Sequence, residues 1–281
     1  TINMETFNIQ RFGNVFLRLL MVRKKEYVKL FLGIILGVAL TYSFAYNPFN
    51  LEAISYDYHE QTMFAATFFI FYGIIILFTV SGGNIISDLK TKQKRINELT
   101  LPATNLERFT ARVLGVTIVP LVLTIVAFFV GDLLQMLINM LLHQGTYYSA
   151  TKFMHEFLSN LIDNKILSFF YIDQNAYFAI IVMGIINMNA IYMLGGMLFR
   201  KTPWLQTSLV LMGIGMAFSA LFISYAFFVI ENTEYTLYIP EWMQTTWWNI
   251  FINAIQIVLW YFLSYRIYCR LQAINTRWLN I

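Results

Sequence analysis

Along the chain, apolar residues gather in six long blocks separated by shorter polar stretches. The blocks run roughly from Val28 to Ala45, Met63 to Gly83, Leu114 to Met140, Tyr177 to Phe199, Leu205 to Ile230 and Asn249 to Tyr268. A helix that crosses a bilayer needs about 20 mostly apolar residues, because the hydrocarbon core is about 30 Å thick and each helical residue rises about 1.5 Å. Each block reaches or approaches that length. Runs such as Phe68 to Val80 show no apolar–polar alternation, which a membrane β-barrel would need in segments of about 10 residues. Only helices and closed barrels satisfy their backbone groups in lipid. The pattern therefore predicts an all-α integral membrane protein with six transmembrane helices.

Ahead of the first block, Ile9, Phe12, Phe16, Leu19 and Leu20 recur at three- and four-residue spacing, while Arg11, Asn14 and Arg18 occupy another face. That pattern predicts an N-terminal amphipathic helix within residues 1–27. It would lie in the membrane interface, with Arg23, Lys24 and Lys25 holding anionic headgroups. Ordinary basic flanking of the first span is the alternative. The remainder, 28–281, reads as one six-span domain. In its long outer loop, 141–176, Phe153, Phe157, Leu158, Leu161, Ile162, Ile166, Leu167 and Phe170 are spaced as in a second amphipathic helix, resting on the outer membrane face. In the last outer link, Pro240 is followed by Trp242, Trp247 and Trp248, an aromatic anchor at headgroup level.

Composition agrees and sharpens the class. Of 281 residues, 58% are hydrophobic and 12% charged, against about 45–50% and about 25% in a soluble domain. A water-soluble globule is excluded. The single cysteine, Cys269, rules out an internal disulfide and every Cys-based metal motif. Of the 19 Lys and Arg, all but Lys152 and Lys165 fall in the segments that share a side with the two termini. By the positive-inside rule both termini are cytoplasmic, and the net charge of +4 reflects topology, with no need to invoke nucleic acid. The first 27 residues carry charges throughout and lack a signal-peptide core, so insertion is expected to begin with the first span.

Candidate chemistry is sparse. Gly195 to Thr202 has the glycine and Lys-Thr of a phosphate-binding loop, but Arg200 stands where the second glycine belongs and no strand precedes it. It reads as a span terminus with basic anchors. Asp57, His59 and Glu60 make weak metal ligation without a further partner, and no metal, cofactor or catalytic residue is assigned. Asp132 is the one clear carboxylate within a span and is expected near its outer end. Span four places Asn187, Asn189 and Tyr192 among Met183, Met188, Met193 and Met197. Buried amides need partners, across helices or along a substrate path, and methionine suits an amphipathic or lipid-like cargo. Asn187, Asn189, Tyr192, Met183 and Met193 are thus a candidate path, with helix packing as the plainer alternative. Gly33-x-x-x-Gly37 and Gly215-x-x-x-Ser219 put small residues on one helix face each. Such faces let backbones approach, between subunits or within one.

The link 84–113 is too long and patterned for a plain turn. Ile86 to Leu99 is helix-compatible and basic, Pro102 breaks it, and Thr104 or Asn105 can cap a new helix that carries Glu107 at its start. The sequence Glu98-Leu99, Leu101-Pro102-Ala103-Thr104 and Leu106-Glu107-Arg108 leading into span three resembles the loop between spans two and three of ABC-2 type transporter permeases. The likeness extends to six spans, cytoplasmic termini and an amphipathic leading helix. It implies that Lys90, Lys94, Arg95, Glu98, Leu99, Pro102, Glu107 and Arg108 couple the chain to a separate ATP-binding subunit, which would hold ATP and Mg. It also implies a non-enzymatic permease subunit of an exporter, paired as a homodimer or heterodimer in the bacterial inner membrane. Two other readings stay open: an integral-membrane enzyme acting on lipid or peptide, and a non-transporting scaffold or sensor.

Overall fold

A computed structural model of the chain describes residues 7–45, 56–89, 91–141, 149–162, 174–232 and 240–271. Every regular element among them is helical. They are α1 (Ile9–Ala45), α2 (Tyr56–Gly82), α3 (Lys92–Leu99), α4 (Asn105–Val116), α5 (Ile118–Leu141), α6 (Ala150–Ile162), α7 (Gln174–Leu198), α8 (Pro203–Asn232), α9 (Glu241–Gln244) and α10 (Thr246–Cys269), with a short 3-10 turn at Ser87–Leu89. Six segments are long and apolar enough to cross a membrane: Ile9–Ala45, Glu60–Gly82, Asn105–Leu141, Phe178–Leu198, Pro203–Asn232 and Thr246–Cys269. Each contains or overlaps one predicted block, so the chain is a multi-span helical protein. It divides into two compact units, Thr1–Ser81 with Ala103–Gln174, and Gly82–Pro102 with Asn175–Ile281.

The first unit is built around α1 and α5. Ile35 and Val38 of α1 meet α5 at Gly131, where an added Cβ would stand 2.8 Å from Val38 Cβ. Glycine is required there because lipid offers no hydrophobic gain for helix association, and the helices adhere through close packing instead. Tyr42 and Thr67, both fully buried, join α1 to α2 through their hydroxyls at 2.8 Å. Around them lie Ile34, Met63, Ala66, Ala127 and Phe128.

Two expectations change here. The predicted interfacial helix and the first span are one continuous helix of 37 residues, about 55 Å long at 1.5 Å per residue. No glycine or proline occurs between Asn14 and Gly33 to break it. One side of its leading half packs on its own chain: Leu19 packs on Gly115 of α4, and the Tyr27 hydroxyl donates to the Gly115 carbonyl at 3.0 Å, while Ile9, Leu17 and Met21 stay exposed. The outer-loop helix exists as α6, but its apolar face lies against α2 instead of a membrane surface. The buried Phe157 ring sits 5.4 Å from Phe64 and 5.2 Å from Phe71. Asp132 of α5 holds α6 in that position. Its carboxylate accepts from the Ala150 and Thr151 amides at 2.8 and 3.1 Å and from the Ser149 and Thr151 hydroxyls. An anion at exposed helix N–H groups satisfies both the orphan donors and the helix dipole. Ile166, Leu167 and Phe170 lie outside the described residues.

In the second unit, α7 is the hub. Asn187 Nδ2 donates to Asn253 Oδ1 and Gln256 Oε1 of α10 at 3.0 and 2.7 Å, while the Tyr192 and Ser208 hydroxyls join α7 to α8 at 2.6 Å. Gly195 meets Thr207 of α8 so closely that any Cβ would overlap the threonine side chain. Beyond that point α8 is bare, and Thr207 is its single buried residue. Trp242 packs edge-on against Trp248, with ring centroids 4.8 Å apart, in the anticipated aromatic cluster.

Candidate functional site: the segment between α2 and α5

Within the second unit, Gly82 and Gly83 run against Asn189 and Gly196 of α7, leaving no space for a side chain at Gly82 or Gly196. The chain then makes the 3-10 turn and enters α3, capped by Thr91, whose hydroxyl accepts from the Lys94 amide at 3.4 Å. Eight residues are too few for an isolated helix to persist in water, so α3 depends on what it is fastened to. Two buried charged residues supply the fastening. Arg95 Nε donates to the Leu89 carbonyl at 2.9 Å, and the Tyr268 hydroxyl near the end of α10 donates to Glu98 Oε1 at 2.9 Å. Arg95 is 3% and Glu98 7% exposed. Burial first, and then the charge of Arg200, pull the Arg95 guanidinium below its ordinary pKa.

The residues expected to form the coupling face divide between the interior and the surface. Arg95 and Glu98 turn into the unit, because their hydrogen bonds to Leu89 and Tyr268 replace the water they give up. Lys94, Leu99 and Pro102 stay on the surface. Lys90 lies outside the described residues.

Glu107 and Arg108 belong to the first unit and are also interior, at 0% and 8% exposed. Thr104 caps α4 in a reciprocal box: its hydroxyl accepts from the Glu107 amide at 3.2 Å, and its own amide donates to Glu107 Oε2 at 2.9 Å. The other carboxylate oxygen of Glu107 accepts from the Asn8 amide at 2.7 Å and from Arg11 Nη2 at 2.9 Å. One carboxylate thus clasps the beginning of α1 to the beginning of α4. Arg108 Nη2 donates to Asn105 Oδ1 at 2.7 Å, which keeps it on its own helix turn.

Among the path candidates, Asn187, Asn189 and Met193 are buried and Met183 is half-buried, and Asn187 and Tyr192 serve as links between helices. Two polar residues that sequence reasoning passed over lie on α5. Gln135 and Asn139 are 0% and 1% exposed, and none of their amide atoms has a hydrogen-bond partner among the described residues. The signal was present, since Asp132, Gln135 and Asn139 stand three and four residues apart on one face of an otherwise apolar span.

The glycine faces are open. An added Cβ at Gly33, Gly37 or Gly215 would meet nothing within 4 Å, and Ser219 is exposed. Gly33, Gly37 and Gly73 line an apolar groove of about 440 Å³ between α1 and α2. Their smallness therefore serves no packing among the described residues of their own units. Among the described residues no three His, Cys, Asp or Glu gather as a metal site. Compared with protein-family models, curated proteins and solved structures, the chain finds no match.

Proposed function

We propose that this chain is the transmembrane permease subunit of an ABC-2 type ATP-driven exporter, with cytoplasmic termini and a separate ATP-binding subunit seated on α3. The observation that carries the reading is the mounting of α3. A short helix presents Lys94, Leu99 and Pro102 outward while Arg95 and Glu98 bind it to the turn before it and to the end of a membrane-spanning helix. A partner that moves α3 moves α10 with it, which is what coupling requires. A second permease subunit would seat on the open glycine faces. Cargo of amphipathic or lipid-like character would pass the helices that carry Asn187, Asn189, Tyr192, Met183 and Met193.

Two variants separate contact from transmission. Lys94→Glu combined with Leu99→Ala should abolish co-purification of the ATP-binding subunit. Tyr268→Phe should leave that complex intact while lowering transport-coupled ATP hydrolysis several-fold, because only the link from α3 to α10 is cut. Extraction of the chain alone from its native host under several mild conditions would overturn the reading and favour a scaffold.

A further inference from the structure

The glycine-tight approach of residues 82–83 to α7 leaves a cavity beside it, of about 210 Å³, roofed by the turn between α7 and α8. Its lining includes Arg95, Arg200 and Lys201 together with Asn84 and Ser87, and none of the described lining residues is acidic. Arg95 is the unusual member. It is 3% exposed, and its one hydrogen bond among the described residues uses Nε, so the Nη groups have no protein acceptor there. A buried charge is strongly disfavoured unless paired, and the nearest charges along the lining are two more cations. Repulsion from Arg200 already weighs on Arg95. Arg200 and Lys201 are held beside it by a turn in which Thr202 adopts φ +42°, a costly conformation for a β-branched residue.

We propose that this cavity binds one phosphate-class anion, either a free phosphate monoester or the phosphate of a lipid headgroup, between Arg95, Arg200 and Lys201. A guanidinium presents a planar fork of donors that matches two phosphate oxygens, and an ammonium adds a point charge. The cavity lies where α7 ends at Leu198 and α8 begins at Pro203. Ends of spanning helices sit at headgroup depth in either membrane orientation, so both sources of the anion have access. The site differs from a nucleotide-binding loop: Arg200 replaces the second glycine, and the anion is met by side chains on two segments instead of by one loop's backbone. It is independent of whether the chain is a transporter.

The test uses the full chain in two arms. In nanodiscs of phosphatidylcholine, inorganic phosphate is titrated against chloride at matched ionic strength while the unfolding midpoint is followed. In detergent, retention of phosphatidylglycerol against phosphatidylcholine is read by native mass spectrometry. Saturable one-to-one binding is expected in at least one arm. Binding in the first identifies a free anion as the source, and binding confined to the second identifies a headgroup. Arg200→Gln with Lys201→Gln, both exposed and so compatible with folding, should weaken binding about ten-fold or more. Arg95→Lys, which keeps the charge and loses the fork, should weaken it less. Lys152→Gln with Arg266→Gln, basic and exposed but remote in sequence, should leave it unchanged. Absence of saturable binding in both arms, or an equal loss in the two double variants, would overturn the proposal.

Discussion

Glu107 shows how much one side chain can hold. It is fully buried, closes the capping box of α4 and accepts from both Asn8 and Arg11. Glu107→Ala removes all of these acceptors together, and with them the bonds from Arg11 and from the Asn8 and Thr104 amides. Loss of a capping-box acceptor together with a part-exposed ion pair costs about 1–3 kcal/mol, and thermal unfolding in detergent should show a loss of that size. Glu107→Gln, which keeps one acceptor oxygen, should lose less. Gln135 poses the opposite case. Its amide is buried without a partner among the described residues, so Gln135→Leu removes a desolvated polar group at similar volume. We expect it to stabilise the chain by about 1 kcal/mol or more, again read by thermal unfolding. If the same variant also lowers transport, the amide serves passage of cargo. At this scale the sequence was partly legible. The Thr104-x-x-Glu107 box is a local pattern and can be read directly, whereas the reach of Glu107 to Asn8 spans 99 positions and leaves no local mark.

Elements repeat the lesson with different causes. The six spans were legible because their signal, a long unbroken apolar run, is set by the thickness of the bilayer and not by neighbours. The burial of α3 was not. Its two apolar residues, Ile96 and Leu99, remain half-buried and exposed, so apolar periodicity points away from the face on which Arg95 and Glu98 turn inward. For α6 the periodicity was clear and its target was not, since an apolar stripe fits a membrane surface or a neighbouring helix equally well. Asp132 decides between them. Its carboxylate receives two amides and two hydroxyls at the start of α6, and Asp132→Ala should release that end. Hydrogen exchange of residues 150–162 should then rise while exchange in α1 stays as it was. Asp132→Asn, which retains one acceptor oxygen, should give an intermediate rise.

For the whole molecule, the open faces of Gly33 and Gly37 on α1 and of Gly215 on α8 leave room for the close approach of another helix. Gly37→Leu meets no internal obstacle, so it should insert and fold normally. If the groove between α1 and α2 seats a second permease subunit, the same variant should shift the protein to a monomer in single-molecule photobleaching or sedimentation. A stable dimer in that variant would remove the groove from the interface.

The bareness of α8 has a consequence for how the protein is made. A helix of 30 residues with one buried side chain meets its own unit chiefly near its start, at Thr207 and Ser208, so its commitment to the bilayer depends mainly on its own apolar length. Damage to the rest of the unit would leave it threaded, and damage to it would act at the translocon. Phe218, 70% exposed near its midpoint, makes the distinction measurable. Phe218→Arg places a charge at about the centre of the span, where insertion is disfavoured by roughly 2.5–3.5 kcal/mol. Glycosylation mapping should therefore record a fraction of chains in which this segment never partitions, with the one later span reversed, even though the substituted side chain is mostly exposed.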